Sequence, residues 1–146
     1  MANSSRTRKS NLKNLRRTDR ITFILPKRGW AKVEFENSTQ CYFSNMFVAN
    51  HHRESKICQE LVKFAIQYLN IAPEIDVTST SDPAKACIRK VGYKKVGPSV
   101  RYLRCELWRS NKKLTQFSKS RLELITAVRY ERSDGCSEVV YTRDNV

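Results

Sequence analysis

From residue 42 the chain reads YFSNMFVAN (42–50) and HHRESKIC (51–58), and further on EIDVTSTSDPAKACIRKVGYKKVG (74–97). The first piece carries apolar, β-forming residues on both faces, which predicts a central strand over 41–49. From Arg53 the period changes. Ile57, Leu61, Phe64 and Tyr68 fall on one helical stripe, and Cys58, Val62, Ala65 and Leu69 on its neighbour. So wide a stripe suits a helix lying on a sheet, and it ends near Asn70 with Pro73 beyond. Residues 74–78 alternate as a short strand through Ile75 and Val77. Ser81 or Asp82 then caps a second helix, with Pro83 in its first turn. That helix turns Ala84, Cys87 and Ile88 inward and ends at Gly92, a left-handed C-cap.

The pattern extends outward from this core. Upstream, 21–25 and 30–36 flank the turn Pro26-Lys27-Arg28-Gly29 and predict a hairpin. Downstream, 93–96 resumes as a strand, Gly97-Pro98 turns or kinks it, and 100–109 continues it. Residues 120–131 read either as a helix through Leu122, Ile125 and Val128 or as a strand, since Ile, Thr and Val also favour one. Asp134-Gly135 marks a turn, and 139–142 a last strand. The order is β-β-β-α-β-α-β followed by an αβ or ββ tail. That is an α/β domain with a mixed sheet, whose antiparallel hairpin precedes a β-α-β-α-β core. The expected organisation is a basic flexible arm (1–19), one domain (20–109) and a C-terminal extension (110–146).

The chain has 146 residues, 40% of them apolar, which is enough for one core. No apolar run reaches the length of a membrane span, and the basic N-terminus lacks the apolar stretch of a secretory signal. The five cysteines (Cys41, Cys58, Cys87, Cys105, Cys136) are odd in number and scattered, with no CxxC pair. This argues against a zinc cluster or a disulfide framework and for reduced thiols in a cytoplasmic setting.

Lys and Arg total 28 against 14 Asp and Glu, a formal net charge of +14. Arg6, Arg8, Lys9, Lys13, Arg16, Arg17 and Arg20 crowd the first twenty residues against Asp19 alone. That segment has too little apolar surface to order itself. A second basic excess runs from 85 to 113 and includes Lys94 and Lys95. Together they point to a polyanionic partner, nucleic acid or an acidic protein surface; the alternative is a solvated face. No motif for reading a base sequence is present. His51-His52 would point to opposite strand faces, so no metal site is expected. Glu74 and Asp76 share a strand face, as an acid–base pair or as an exposed edge of charge. No nucleophile motif, phosphate loop or dinucleotide fingerprint occurs, and no catalytic residue is assigned.

The layout of 42–97 resembles the core of the GNAT superfamily of N-acetyltransferases. Val48-Ala49 followed by Arg53 is similar to that family's approach from strand to pyrophosphate loop. Ala84, Lys90 and Gly92, with Tyr93 for a phenylalanine, match its second helix and the strand after it. The resemblance implies a GNAT-like fold in which Arg53, Ser55 and Lys56 would hold the pyrophosphate of acetyl-CoA at a helix N-terminus. Lys56 and Cys58 stand where the family has glycines. Ser81 replaces a cofactor-contacting asparagine, and Ile88 replaces a tyrosine that protonates the departing thiolate. A water or Tyr93 would have to take over that proton. Cys58 is either a reactive thiol at the helix start or a buried one. Short domains of this kind look similar to small phage proteins that serve in virion assembly, which would place the chain in host cytoplasm or virion. The expected function is therefore a structural or assembly protein, part of a larger assembly and without a cofactor. The alternative is an acetyl-CoA-dependent N-acyltransferase.

Overall fold

A computed structural model describes residues 4–7, 19–37, 39–49, 56–110, 125–131, 133 and 136–143. In chain order the elements are β1 (Ser4–Thr7), β2 (Arg20–Leu25), β3 (Gly29–Phe35), β4 (Cys41–Val48), α1 (Ile57–Leu69), β5 (Ile75–Thr78), α2 (Asp82–Val91), β6 (Tyr93–Pro98), β7 (Cys105–Ser110), β8 (Ile125–Glu131) and β9 (Ser137–Arg143).

The strands form two sheets, a six-stranded one ordered β1-β8-β9-β2-β3-β4 and a three-stranded one ordered β5-β7-β6. Neighbours run antiparallel except β2 and β9, which are parallel. The sheets touch at one parallel bridge, Tyr42 opposite Glu74. There the Phe43 N–H donates to Glu74 O and the Glu74 N–H to Cys41 O, each at 2.9 Å. Beyond this bridge β4 and β5 make no ladder pairs among the described residues. β4 also carries a bulge. Lys32 faces Asn45 and Val33 faces Phe43, so Ser44 is the extra residue.

Local chemistry explains the elements. In the β2–β3 turn Lys27 takes φ 65° and the Arg28 N–H donates to Leu25 O at 3.0 Å. Gly29 must stay a glycine, because a Cβ there would stand 2.5 Å from Phe47 O and 3.2 Å from Leu61 Cδ1. The apolar stripes of α1 are buried, and the helix stops where Asn70 turns left-handed at φ 55°. Gly92 closes α2 at φ 105°, its N–H reaching Arg89 O and Ile88 O. Phe64 and Tyr68 of α1 meet the sheet through Phe23, edge-on to Phe64 at 5.0 Å, and Tyr141, 4.5 Å from Tyr68.

Several expectations change. The single mixed sheet is two sheets. The strand expected to continue through 109 is two antiparallel strands, β6 and β7, reversed over 99–104. Ser99 Oγ drives the reversal by accepting the N–H groups of Arg101 and Tyr102 at 3.1 and 3.2 Å, and Arg104 completes it at φ 62°. Of 120–131, the described part is strand β8. Within the C-terminal extension 110–146, the described strands β8 and β9 are part of the larger sheet. β9 lies between β8 and β2, burying Ser137, Val139, Tyr141 and Arg143 on one face. Nor is all of 1–19 an arm. Ser4–Thr7 pairs with β8, and Asp19 is buried, with Arg129 Nη1 within 3.1 Å of its carboxylate.

The cysteine reading is also corrected. Cys58, at the start of α1, and Cys87, within α2, form a disulfide with 6.3 Å between Cα atoms. They lie 29 residues apart in sequence but on two helices packed side by side. Cys58 is therefore not a free thiol. Cys41 is free but buried, and burial, aided by the charge of Glu74, pushes its thiol up to about 12. No helix among the described residues is long and apolar enough to cross a membrane.

Cross-linking across 29 residues restricts the unfolded chain, worth about 3–4 kcal/mol in the loop-entropy account. Reduction of the wild type should lower its stability by that order in denaturant titration. Cys87→Ser should match the reduced protein and be indifferent to reductant. Equal stability with and without reductant in the wild type would contradict the link.

Candidate functional site

Of the basic residues described between 85 and 110, Lys85, Lys95, Arg101 and Arg109 are paired inside the fold. Glu106 lies 3.4 Å from Lys85 Nζ and 3.2 Å from Lys95 Nζ. Arg89 lies over the Trp108 ring at 5.2 Å. Arg109 Nε donates to Glu74 Oε2 at 2.6 Å. Lys90, Lys94 and Arg104, by contrast, are exposed and have no acidic partner among the described residues.

Arg101 does most of this neutralisation. Standing in the β6–β7 turn, it crosses the seam between the sheets. Its guanidinium donates to Glu74 Oε1 at 2.5 Å and Asp76 Oδ2 at 3.1 Å, reaches Glu36 at the end of β3, and lies 4.3 Å over the Tyr42 ring. Ser99 Oγ donates to Asp76 Oδ1 at 2.7 Å, fixing the turn that presents Arg101. Burial alone would raise the Glu74 pKa, but hydrogen bonds and charge from Arg101 and Arg109 outweigh it and hold the carboxyl below its ordinary range. A carboxylate so held is a poor proton acceptor. The Glu74–Asp76 pair is thus part of a structural cage rather than an acid–base pair.

At the opposite end of β3 and β4 the cations are of another kind. The Ala49 N–H donates to Arg28 O at 2.9 Å, which brings the end of β4 against the β2–β3 turn. Lys27 and Lys32 are exposed and Arg28 is half-buried. Lys56, exposed, precedes the first turn of α1, and no side chain caps that helix among the described residues. None of these four has a carboxylate partner among the described residues. On the face of the sheet turned away from α1, Trp30 and Phe47 stack with centroids 6.0 Å apart, and Lys32 Nζ lies 5.3 Å over the Trp30 ring.

Of the residues singled out in the sequence, Lys56 belongs to this end, whereas Arg53 and Ser55 lie outside the described residues. So do Arg8, Lys9, Lys13, Arg16 and Arg17. Arg6 is in β1 opposite Val128. Arg20, exposed, has Nε 3.9 Å from Glu34. Ile88, which replaces the family's tyrosine, and Tyr93, the side chain weighed as its substitute, are both core residues. Ile88 packs among the apolar side chains. Tyr93 is 1% exposed, its hydroxyl donates to Pro73 O at 2.7 Å, and burial pushes its pKa far up. Tyr93 is therefore a structural lock, not a stand-in acid. On the edge of β4 past the bridge, the Met46 N–H is taken by Asn45 Oδ1 at 2.9 Å. Sequence reasoning passed over Lys27, Arg28, Trp30, Lys32 and Phe47. The signal was there in KRGWAK (27–32), where cations and an aromatic alternate around a turn.

Comparison with protein-family models, with curated proteins and with solved structures found no match.

Removing Arg101 would leave Glu36, Glu74 and Asp76 facing one another across the seam. Arg101→Met should cost about 3–5 kcal/mol by chemical denaturation near neutral pH. Glu74 titrates lower folded than unfolded, so its contribution is complete above the unfolded value, about 4.3, and fades as pH falls through the lower folded value. The gap between wild type and variant should therefore narrow on acidification. A gap below about 1 kcal/mol at neutral pH would mark the cage as an ordinary surface contact.

Proposed function

We propose that this chain is a GNAT-like domain serving as a structural or assembly protein, and that it holds a polyanionic partner at the end of the sheet bearing Lys27, Arg28, Lys32 and Lys56. The observation that carries this reading is a group of cations without carboxylate partners at the end of the sheet where Trp30 and Phe47 stack and Lys32 lies over the Trp30 ring. Of the cations from 85 to 109, Lys85, Lys95, Arg101 and Arg109 are matched by Glu36, Glu74, Asp76 and Glu106, while Arg89, Lys90, Lys94 and Arg104 have no carboxylate partner among the described residues. Those at the β2–β3 turn and the start of α1 are unmatched among the described residues, and the partial positive charge of a helix N-terminus adds to them. Cations without carboxylate partners are free to neutralise phosphates, and the counterions that the polyanion then releases drive binding. The GNAT-like part of the reading is supported by the run β4-α1-β5-α2-β6, the succession that the resemblance implies. A virion or other large assembly is the setting that the resemblance to small phage proteins suggests.

Acetyl-CoA remains the second reading, because its pyrophosphate would seek the same helix start. Binding is favoured over transfer, since Ile88 carries no proton to give and the Tyr93 hydroxyl is buried on Pro73 O.

The test is binding to heparin or polyphosphate across a salt series. With about four phosphate contacts, affinity should fall on the order of 100-fold between about 50 and 200 mM salt. Lys27→Glu with Lys56→Glu should abolish most of the binding, whereas Lys95→Gln, whose cation already serves Glu106, should change little. Salt-independent binding, or equal loss from both variants, would overturn the assignment. Calorimetric saturation by acetyl-CoA but not by polyphosphate would move the second reading to first place.

A further inference from the structure

We propose that the Trp30–Phe47 pair is a stacking platform for unpaired bases, and that the polyanion held beside it is single-stranded nucleic acid. This rests on the polyanion reading above and narrows it to one ligand class. Phe47 is 46% exposed, one of the few large apolar side chains that the described fold leaves to solvent. It stacks against Trp30 with the ring planes inclined by 26°. Both lie on the sheet face turned away from α1, since the alternate residues Ala31 and Val33 are the buried ones. A strand pair presenting adjacent aromatic rings beside cations is what sequence-tolerant single-strand binding requires, because every base offers a π-face.

The charges around the pair fit the same ligand. Lys32, already over the Trp30 ring, stands two residues along the same strand and face. Lys27 and Arg28 border the other side at the turn. The platform is bounded in the direction of Tyr42, where Glu34, Glu36, Glu74 and Asp76 gather and would repel phosphates. It is therefore short, with room for a few nucleotides. A duplex keeps its bases stacked internally and would meet only the cations. An acidic peptide would meet the same cations and leave the rings without a partner.

The experiment compares three ligands of equal length, about 20 nucleotides: oligo(dT), a duplex, and an abasic strand. The last has the charge of the first and none of its bases. Binding is read by anisotropy of the labelled strand and by tryptophan fluorescence. Trp108 is 2% exposed, so Trp30 is the accessible reporter. Oligo(dT) should bind about tenfold more tightly than the abasic strand and quench the fluorescence. Phe47→Leu and Trp30→Leu should remove that preference while leaving abasic and duplex affinities in place. Phe47→Leu changes an exposed side chain, so it keeps the test valid should Trp30→Leu fail to fold, which circular dichroism reveals. Equal affinity for oligo(dT) and the abasic strand, without quenching, would overturn the platform and leave the polyanion reading standing. Failure of all three ligands and of polyphosphate would overturn both.

Discussion

Two backbone hydrogen bonds join the sheets at Tyr42 and Glu74, and Arg101 adds ion pairs across the same seam above a shared apolar core. One guanidinium gathers carboxylates from the end of β3 and the start of β5, from two different sheets, and lies over a ring of β4. Its turn is held in place by Ser99 on Asp76. The arrangement ties the β5-β7-β6 unit to the larger sheet where the ladder itself is nearly absent. A cation so placed trades water for several charge-assisted hydrogen bonds, so its worth depends on all partners being present at once.

That seam also decides where the molecule is positive. Glu74, Asp76 and Glu106 take up Arg101, Arg109, Lys85 and Lys95, and the β5-β7-β6 region becomes far less basic than its residue count suggests. Lys90, Lys94 and Arg104 remain without carboxylate partners there, and a further unmatched group stands at the opposite end of β3 and β4, where aromatic side chains also come to the surface. Charge and stacking surface thus coincide at one place in the fold, at the turn whose close approach to β4 depends on Gly29.

The sequence made some of this legible and left the rest hidden, for physical reasons. Alternation over 21–35, the turn at Pro26, the two stripes of α1 and the cap at Gly92 are local signals, and each element stands where its signal places it. The parallel pairing of β9 with β2 joins residues more than a hundred positions apart, such as Ile21 and Val139, and nothing local announces it. Cys58 and Cys87 meet because two helices pack side by side, a tertiary event that cysteine spacing does not record. Strand β8 was ambiguous because β-branched residues at helical spacing serve either state until a neighbouring strand claims them. At the candidate site, counting cations found the net charge but not its distribution, because pairing is a property of the fold. Of the site residues proposed from sequence, Lys56 falls at the unpaired end, while Lys95 turns out to be matched by Glu106.

The most direct test of this account is amide chemical-shift mapping of the full chain, titrated with a short oligonucleotide at low salt. The account predicts that the perturbed amides cluster at 27–32, 45–48 and 56–58, with those of 93–109 nearly still. Perturbations centred on 93–109, with the β2–β3 turn unmoved, would contradict it, because the ligand would then be held away from the Trp30–Phe47 platform.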